Sequence, residues 1–120
     1  MIDDDPMWCE QVCQLLEPSG YDVVAAASEA AALQSLAEMK VPSAIFVEPK
    51  TATGAFCRML RDMPQLNGVP MFLISAAPAR DVYERGAGAN GYVRKAVALD
   101  HLMLLLGNTP EDGASRRRAA

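Results

Sequence analysis

The chain has 120 residues, of which 51% are apolar and 22% charged: enough for one domain with a usable core, and too short for two. Acidic residues number 15 against 11 basic ones, and the resulting acidic balance excludes the broad basic surface that nucleic-acid binding needs. Cys9, Cys13 and Cys57 are odd in number and have no Cys or His cluster at zinc spacing, so they read as small apolar residues. With no signal-peptide pattern and no apolar run of membrane length, a cytoplasmic protein without nucleic-acid or membrane partners is expected.

Only Met1 and Ile2 precede the aspartates, so the first strand is nearly absent, and a few apolar residues are expected to be missing upstream. Asp5 followed by Pro6 is a helix-start signal; Trp8, Val12, Leu15 and Leu16 then recur at helical spacing until Pro18, and Ser19-Gly20 turns the chain. Tyr21 to Ala26 reads as a short strand. Ser28 caps a second helix carrying Ala32, Leu33, Leu36 and Ala37, and Pro42-Ser43 breaks the chain. Ala44 to Val47 is wholly apolar, as a parallel strand covered on both faces must be. A helix from about Ala55 to Met63, a loop at Gln65 to Gly68, a strand at Met71 to Ile74, a short helical stretch around Asp81 to Arg85, and a strand at Tyr92 to Arg94 follow. Leu99 to Leu106 is the last helix. Helices and short strands in alternation predict an α/β fold, a parallel sheet with helices on both faces.

In such open sheets the working crevice lies at the carboxyl ends of the strands. There the sequence places Asp3, Asp4 and Asp5, then Glu48, Ser75 and Lys95: an acidic pocket with one lysine. A phosphate-binding loop would put glycines after the first strand instead, because backbone N–H groups must approach the phosphate. Asp5 has a plain role as a helix cap, Ser75 as a loop cap, Tyr92 as core filling, and Glu48 with Lys95 as a structural ion pair.

Ile2-Asp3-Asp4-Asp5-Pro6, Ile45-Phe46-Val47-Glu48, Ile74-Ser75-Ala76 and Gly88-Ala89-Asn90-Gly91-Tyr92-Val93-Arg94-Lys95 fall in order at the ends of successive predicted strands. Together they resemble the receiver domains of bacterial response regulators, over Met1 to about Leu106. The resemblance implies a flavodoxin-like sheet with strand order 2-1-3-4-5, and a histidine kinase or effector as partner. It also implies a phosphoacceptor aspartate ending the third strand, with Mg²⁺ held by it and an acidic pair. Asp3 and Asp4 match that pair, Ser75 the hydroxyl residue, Tyr92 the aromatic and Lys95 the lysine that contacts the phosphoryl group. Glu48 stands where the family has the phosphoacceptor aspartate.

Two further departures flank Glu48's site. The Pro49–Gly54 segment is about two residues shorter than the family loop, and Ala96 follows Lys95 where the family has proline. A trans Lys95–Ala96 bond is therefore expected, because the cis form costs about 2.5–4 kcal/mol before a non-proline residue. Any Mg²⁺ is expected to be weakly bound or absent, with Asp4 and Glu48 as its ligands. The expected function is that of an atypical receiver that does no catalysis and acts as a phosphorylation-independent interaction module in two-component signalling. The alternatives are a phosphoacceptor-competent receiver using Mg²⁺ and an aspartate of the pocket, or an unrelated small-ligand domain of the same fold.

The domain is expected to end at residue 107, with a flexible tail over residues 108–120 that carries Arg116, Arg117 and Arg118. Leu99, Leu102, Met103 and Leu106 form one helical face that suffices to dock the last helix. Leu104 and Leu105 are left over as a face for a partner or for homodimer formation.

Overall fold

The computed structural model describes residues 1–76, 89–107 and 118–119; the predicted helical stretch around Asp81 to Arg85 lies outside them, as does most of the tail. Helix α1 spans Pro6–Leu16. The Asp5 carboxylate accepts from the Met7 and Trp8 N–H groups, satisfying donors that a helix start otherwise leaves orphaned, and Pro6 takes the position where no donor is needed. A 3₁₀ turn at Glu17–Ser19 ends on Gly20, whose φ of 95° is the left-handed conformation that favours glycine. Strand β1 (Asp22–Val23) follows, then α2 (Glu29–Glu38), whose cap Ser28 accepts from the Ala31 N–H. Strand β2 is Ile45–Val47, and α3 is Gly54–Asp62, capped by Thr53. Strands β3 (Met71–Ser75) and β4 (Gly91–Arg94) lead to α4 (Lys95–Gly107), and Arg118–Ala119 forms β5.

Strands β2, β3 and β4 pair in parallel, with Ile45 opposite Met71 and Leu73 opposite Tyr92. The missing first strand is reduced to Ile2, which bridges in parallel to Ala26 on one side and Val47 on the other. Four backbone bonds hold it there: Ile2 donates to the Phe46 carbonyl at 2.7 Å, Asp3 to Ala26, Ala26 to Met1, and Glu48 to Ile2. Counted with Ile2 as the first strand, the spatial order β1, Ile2, β2, β3, β4 is the expected 2-1-3-4-5, with a single residue standing in for the central strand. Strand β5 adds outside β1, so the two described residues of the expected tail lie against the sheet edge.

Side-chain alternation explains the wholly apolar strands. Ile45, Val47, Met71 and Leu73 point to one face, where they bury Phe56, Cys57 and Leu60 of α3 and Ala32 of α2. Ala44, Phe46 and Ile74 point to the other, against Trp8, Val12 and Leu16 of α1 and Ala98, Leu102 and Leu106 of α4. Helices therefore cover both faces.

The last helix differs from its expected start at Leu99. It begins four residues earlier, at Lys95, because the run Lys95-Ala96-Val97-Ala98 contains no breaker and two strong helix formers. The described residues contain no cis peptide bond, which includes Lys95–Ala96. The docking face also shifts. Leu102 and Leu106 are buried, Leu99 and Leu105 half-buried, whereas Met103 turns outward beside Leu104, which is 66% exposed. Leu105 thus packs partly on the core, and Leu104 is left outside with Met103.

Candidate functional site

Asp3, Glu48 after β2, Ser75 at the end of β3 and Lys95 at the start of α4 form one linked cluster. The side chain of Asp3 is buried and divides its oxygens: Oδ1 accepts from the Asp5 N–H at 3.0 Å, and Oδ2 lies 3.0 Å from Lys95 Nζ. Lys95 reaches the cluster because α4 starts at that residue, directly after β4. Its ammonium also stands 3.8 Å from Asp5 Oδ2 and 3.8 Å from Glu48 Oε2, and 5.4 Å from the centre of the Trp8 ring. The face of an indole attracts a cation, so Trp8 adds to the hold on Lys95.

Glu48 is buried, and both of its carboxylate oxygens are engaged. Oε1 accepts from the Lys50 N–H at 3.0 Å and from the Ser75 hydroxyl at 3.3 Å, while Oε2 faces the ammonium. The short loop after it closes as a tight turn: the Thr51 and Ala52 N–H groups both donate to the Glu48 carbonyl. Thr53 then donates its N–H to Glu29 Oε2 at 2.7 Å, which ties the loop to the start of α2.

Asp3, Glu48, Ser75 and Lys95 therefore meet as expected from the sequence. Asp4 does not join them. Its side chain is exposed, its N–H donates to Thr51 Oγ1, and it lines an open cleft of about 350 Å³ with Asp3, Pro6, Cys9, Ala25 and Ala27. The Glu48 carboxylate turns instead to the Lys50 N–H, the Ser75 hydroxyl and the Lys95 ammonium. Tyr92 is half-buried on β4 and packs against the core. Sequence reasoning missed Trp8; its place one turn after the aspartates, at the same end of the sheet, was the available signal.

Divalent metal fits this arrangement poorly. Mg²⁺ asks for a near-octahedral oxygen shell at about 2.0–2.1 Å, and the point between Asp3, Asp5 and Glu48 is taken by an ammonium. Among the described residues no group of three His, Cys, Asp or Glu side chains is placed to hold a metal ion. Burial pushes the Cys9, Cys13 and Cys57 thiols up from their ordinary value, and for Cys9 the Asp3 carboxylate pushes the same way. Among the described residues no helix is long and apolar enough to cross a membrane.

Comparison with solved structures finds the fold of receiver domains. It is similar to the receiver domain of a sensor histidine kinase from Pseudomonas aeruginosa, which holds a magnesium ion in its active-site cleft. That match has a TM-score of 0.78 and 21% identity, over 90% of this chain and 92% of the other. A candidate response regulator from Chloroflexus aurantiacus matches with a TM-score of 0.76 and 28% identity, over 89% and 91% of the two chains. A response regulator from Thermotoga maritima matches at 0.72 and 23%, over 88% and 90%. No protein-family model and no curated protein matches the sequence. The fold is that of the receiver domain of two-component signalling.

Proposed function

From a chain with the receiver-domain fold, we propose a receiver that works without phosphorylation, as a protein-interaction module in a two-component pathway. The observation that carries this reading is the Lys95 ammonium, 3.0 Å from Asp3 and 3.8 Å from Glu48, inside a pocket whose acceptor-position carboxylate already has every oxygen engaged.

Phosphoryl transfer to Glu48 would need a free carboxylate oxygen in line with the donor. Glutamate carries its carboxylate one methylene further from the backbone than aspartate, and a misplacement of about 1 Å can cost about 10²-fold in rate. The Ser75 hydroxyl and the Lys50 N–H must also be given up before Oε1 can attack. As a standing mimic of a phosphoryl group, Glu48 falls short: it carries one charge where a phosphoryl group carries about −1.5 to −2 and three oxygens. The pocket in this reading is a fixed ion-paired plug that holds β2, β3 and α4 in one arrangement. Contacts with a kinase, an effector or a second copy then fall to the outer surfaces, with Leu104 and Met103 of α4 as the apolar contact face.

Incubation with acetyl phosphate and Mg²⁺ followed by intact-mass measurement tests the proposal. The expected spectrum shows no phosphoryl adduct on the parent protein. An adduct that persists when Asp3 and Asp4 are substituted and vanishes in Glu48→Gln overturns the reading. An adduct abolished by substituting Asp4 would transfer the phosphoacceptor role to the exposed aspartate and overturn it equally.

A further inference from the structure

Helix α1 carries a pair of thiols that the carboxylate cluster does not use. Cys9 and Cys13 lie four residues apart within Pro6–Leu16, and residues at that spacing share one helix face with Cβ atoms about 5–6 Å apart. Both are half-buried, and neither is in a disulfide. Cys9 borders the open cleft of about 350 Å³ that Asp3 and Asp4 also line, and its thiol donates to the Asp3 carbonyl at 3.6 Å. For Cys9 the neighbouring Cys13 adds to the upward push on the thiol, so the two sulfurs feel one another. Cys57 stands apart, buried on α3 in the core on the opposite face of the sheet.

The spacing decides what the pair does. A disulfide needs Cβ atoms about 3.5–4.5 Å apart, closer than one helical turn sets them, so S–S closure would distort α1. One ion with bonds of about 2.3 Å to two thiolates spans sulfurs up to about 4.6 Å apart, a separation that two side chains leaning together reach with the helix intact. A zinc site asks for four ligands, and among the described residues no group of three His, Cys, Asp or Glu side chains is placed to hold a metal. Two thiolates alone suit a soft cation content with two ligands, and Cu(I) is such an ion. We propose that Cys9 and Cys13 form a two-coordinate Cu(I) site on the flank of α1. Burial holds both thiols protonated at neutral pH, helped by Asp3 and Asp5 at Cys9 and by Glu17 and Glu10 at Cys13, while the Met1 amine acts the other way on both. Binding therefore breaks two S–H bonds, forms two Cu–S bonds and sends two protons to solvent, with no change of oxidation state.

Titration of the reduced full chain with Cu(I), in competition with the colour-forming chelator bathocuproine disulfonate, tests the site. The parent is expected to take one ion per chain and to release two protons with it. Cys9→Ser and Cys13→Ser should each weaken binding at least about tenfold, the least that losing even a supporting partner of a metal site costs. Cys57→Ser should bind as the parent does. The Cys13→Ser/Gln14→Cys variant keeps the number of thiols but carries one off the shared face, onto the exposed position of Gln14, and should bind no better than Cys13→Ser. Helical circular dichroism equal to the parent's shows that each variant is folded, so that a loss reports the missing ligand. Parent-like affinity in Cys13→Ser or in the displaced-thiol variant overturns the proposal. One ion shared by two chains, or fewer than two protons released per ion, overturns it equally.

Discussion

Substituting Lys95 by methionine keeps the side-chain length and removes the charge that faces Asp3, whose side chain is 2% exposed, and Glu48, at 6%. Breaking a buried pair from one side typically costs about 3–5 kcal/mol, because the remaining charge stays desolvated. Lys95→Met is therefore expected to lower the unfolding free energy by about 3 kcal/mol in urea titration, and Asp3→Asn in the same background to recover part of it. A loss below about 1 kcal/mol would place the cluster among weak surface pairs. A titrating group sits at Met1. In a chain beginning there the amine is fully buried, and desolvation lowers its pKa from 8.0 to about 5. The folded state then binds fewer protons than the unfolded state between pH 5 and 8. Stability from this group is present in full above pH 8 and is lost as pH falls toward 5, by up to about 4 kcal/mol over the window. Nα-acetylation removes the titration, so the pH slope of stability between pH 5 and 8 should be shallower in the acetylated chain. Equal slopes contradict this account of Met1. At this scale Asp3, Glu48, Ser75 and Lys95 were legible in the sequence because each ends a strand. Asp4 was not separable from Asp3, since only the folded backbone decides which neighbour turns inward.

Helix α4 shows what an all-apolar pattern leaves open. From Leu102 to Leu106 every residue is apolar, so periodicity cannot say which of them face the sheet, and the predicted docking face was displaced: Leu105 leans on the core and Met103 outward. The start of the helix was hidden for a related reason, since Lys95 reads as the end of a strand until the absence of proline at 96 lets the helix continue through it. Leu104→Lys is expected to change the unfolding free energy by no more than about 0.5 kcal/mol, while Leu102→Ala costs about 2–5 kcal/mol. Denaturant titration separates the two. In sedimentation the Leu104→Lys chain should self-associate less than the parent; identical profiles would remove Leu104 from the contact face. Among the described residues, Ile2 alone stands at the position of the first strand. Its consequence was not legible, because two residues give no hint that Ile2 alone bridges both neighbours and leaves their inner backbone groups satisfied.

Across the whole molecule, the strands after Ala26, Val47 and Ser75 deliver their ends to one crevice, and the sequence order of apolar runs was sufficient to locate it. What fills the crevice is the central claim: a lysine ammonium of the chain itself where a metal-dependent receiver would need a divalent cation. In the proposed reading a fixed charge of the chain stands where an exchangeable one would act. Titration of the parent protein with millimolar Mg²⁺, followed by amide NMR shifts, tests this most directly. The account predicts no saturable shift at Asp3, Asp4, Glu48 or Lys95. Saturable shifts clustered on those four residues in the parent would show that the ammonium yields its place to the metal, and would contradict it.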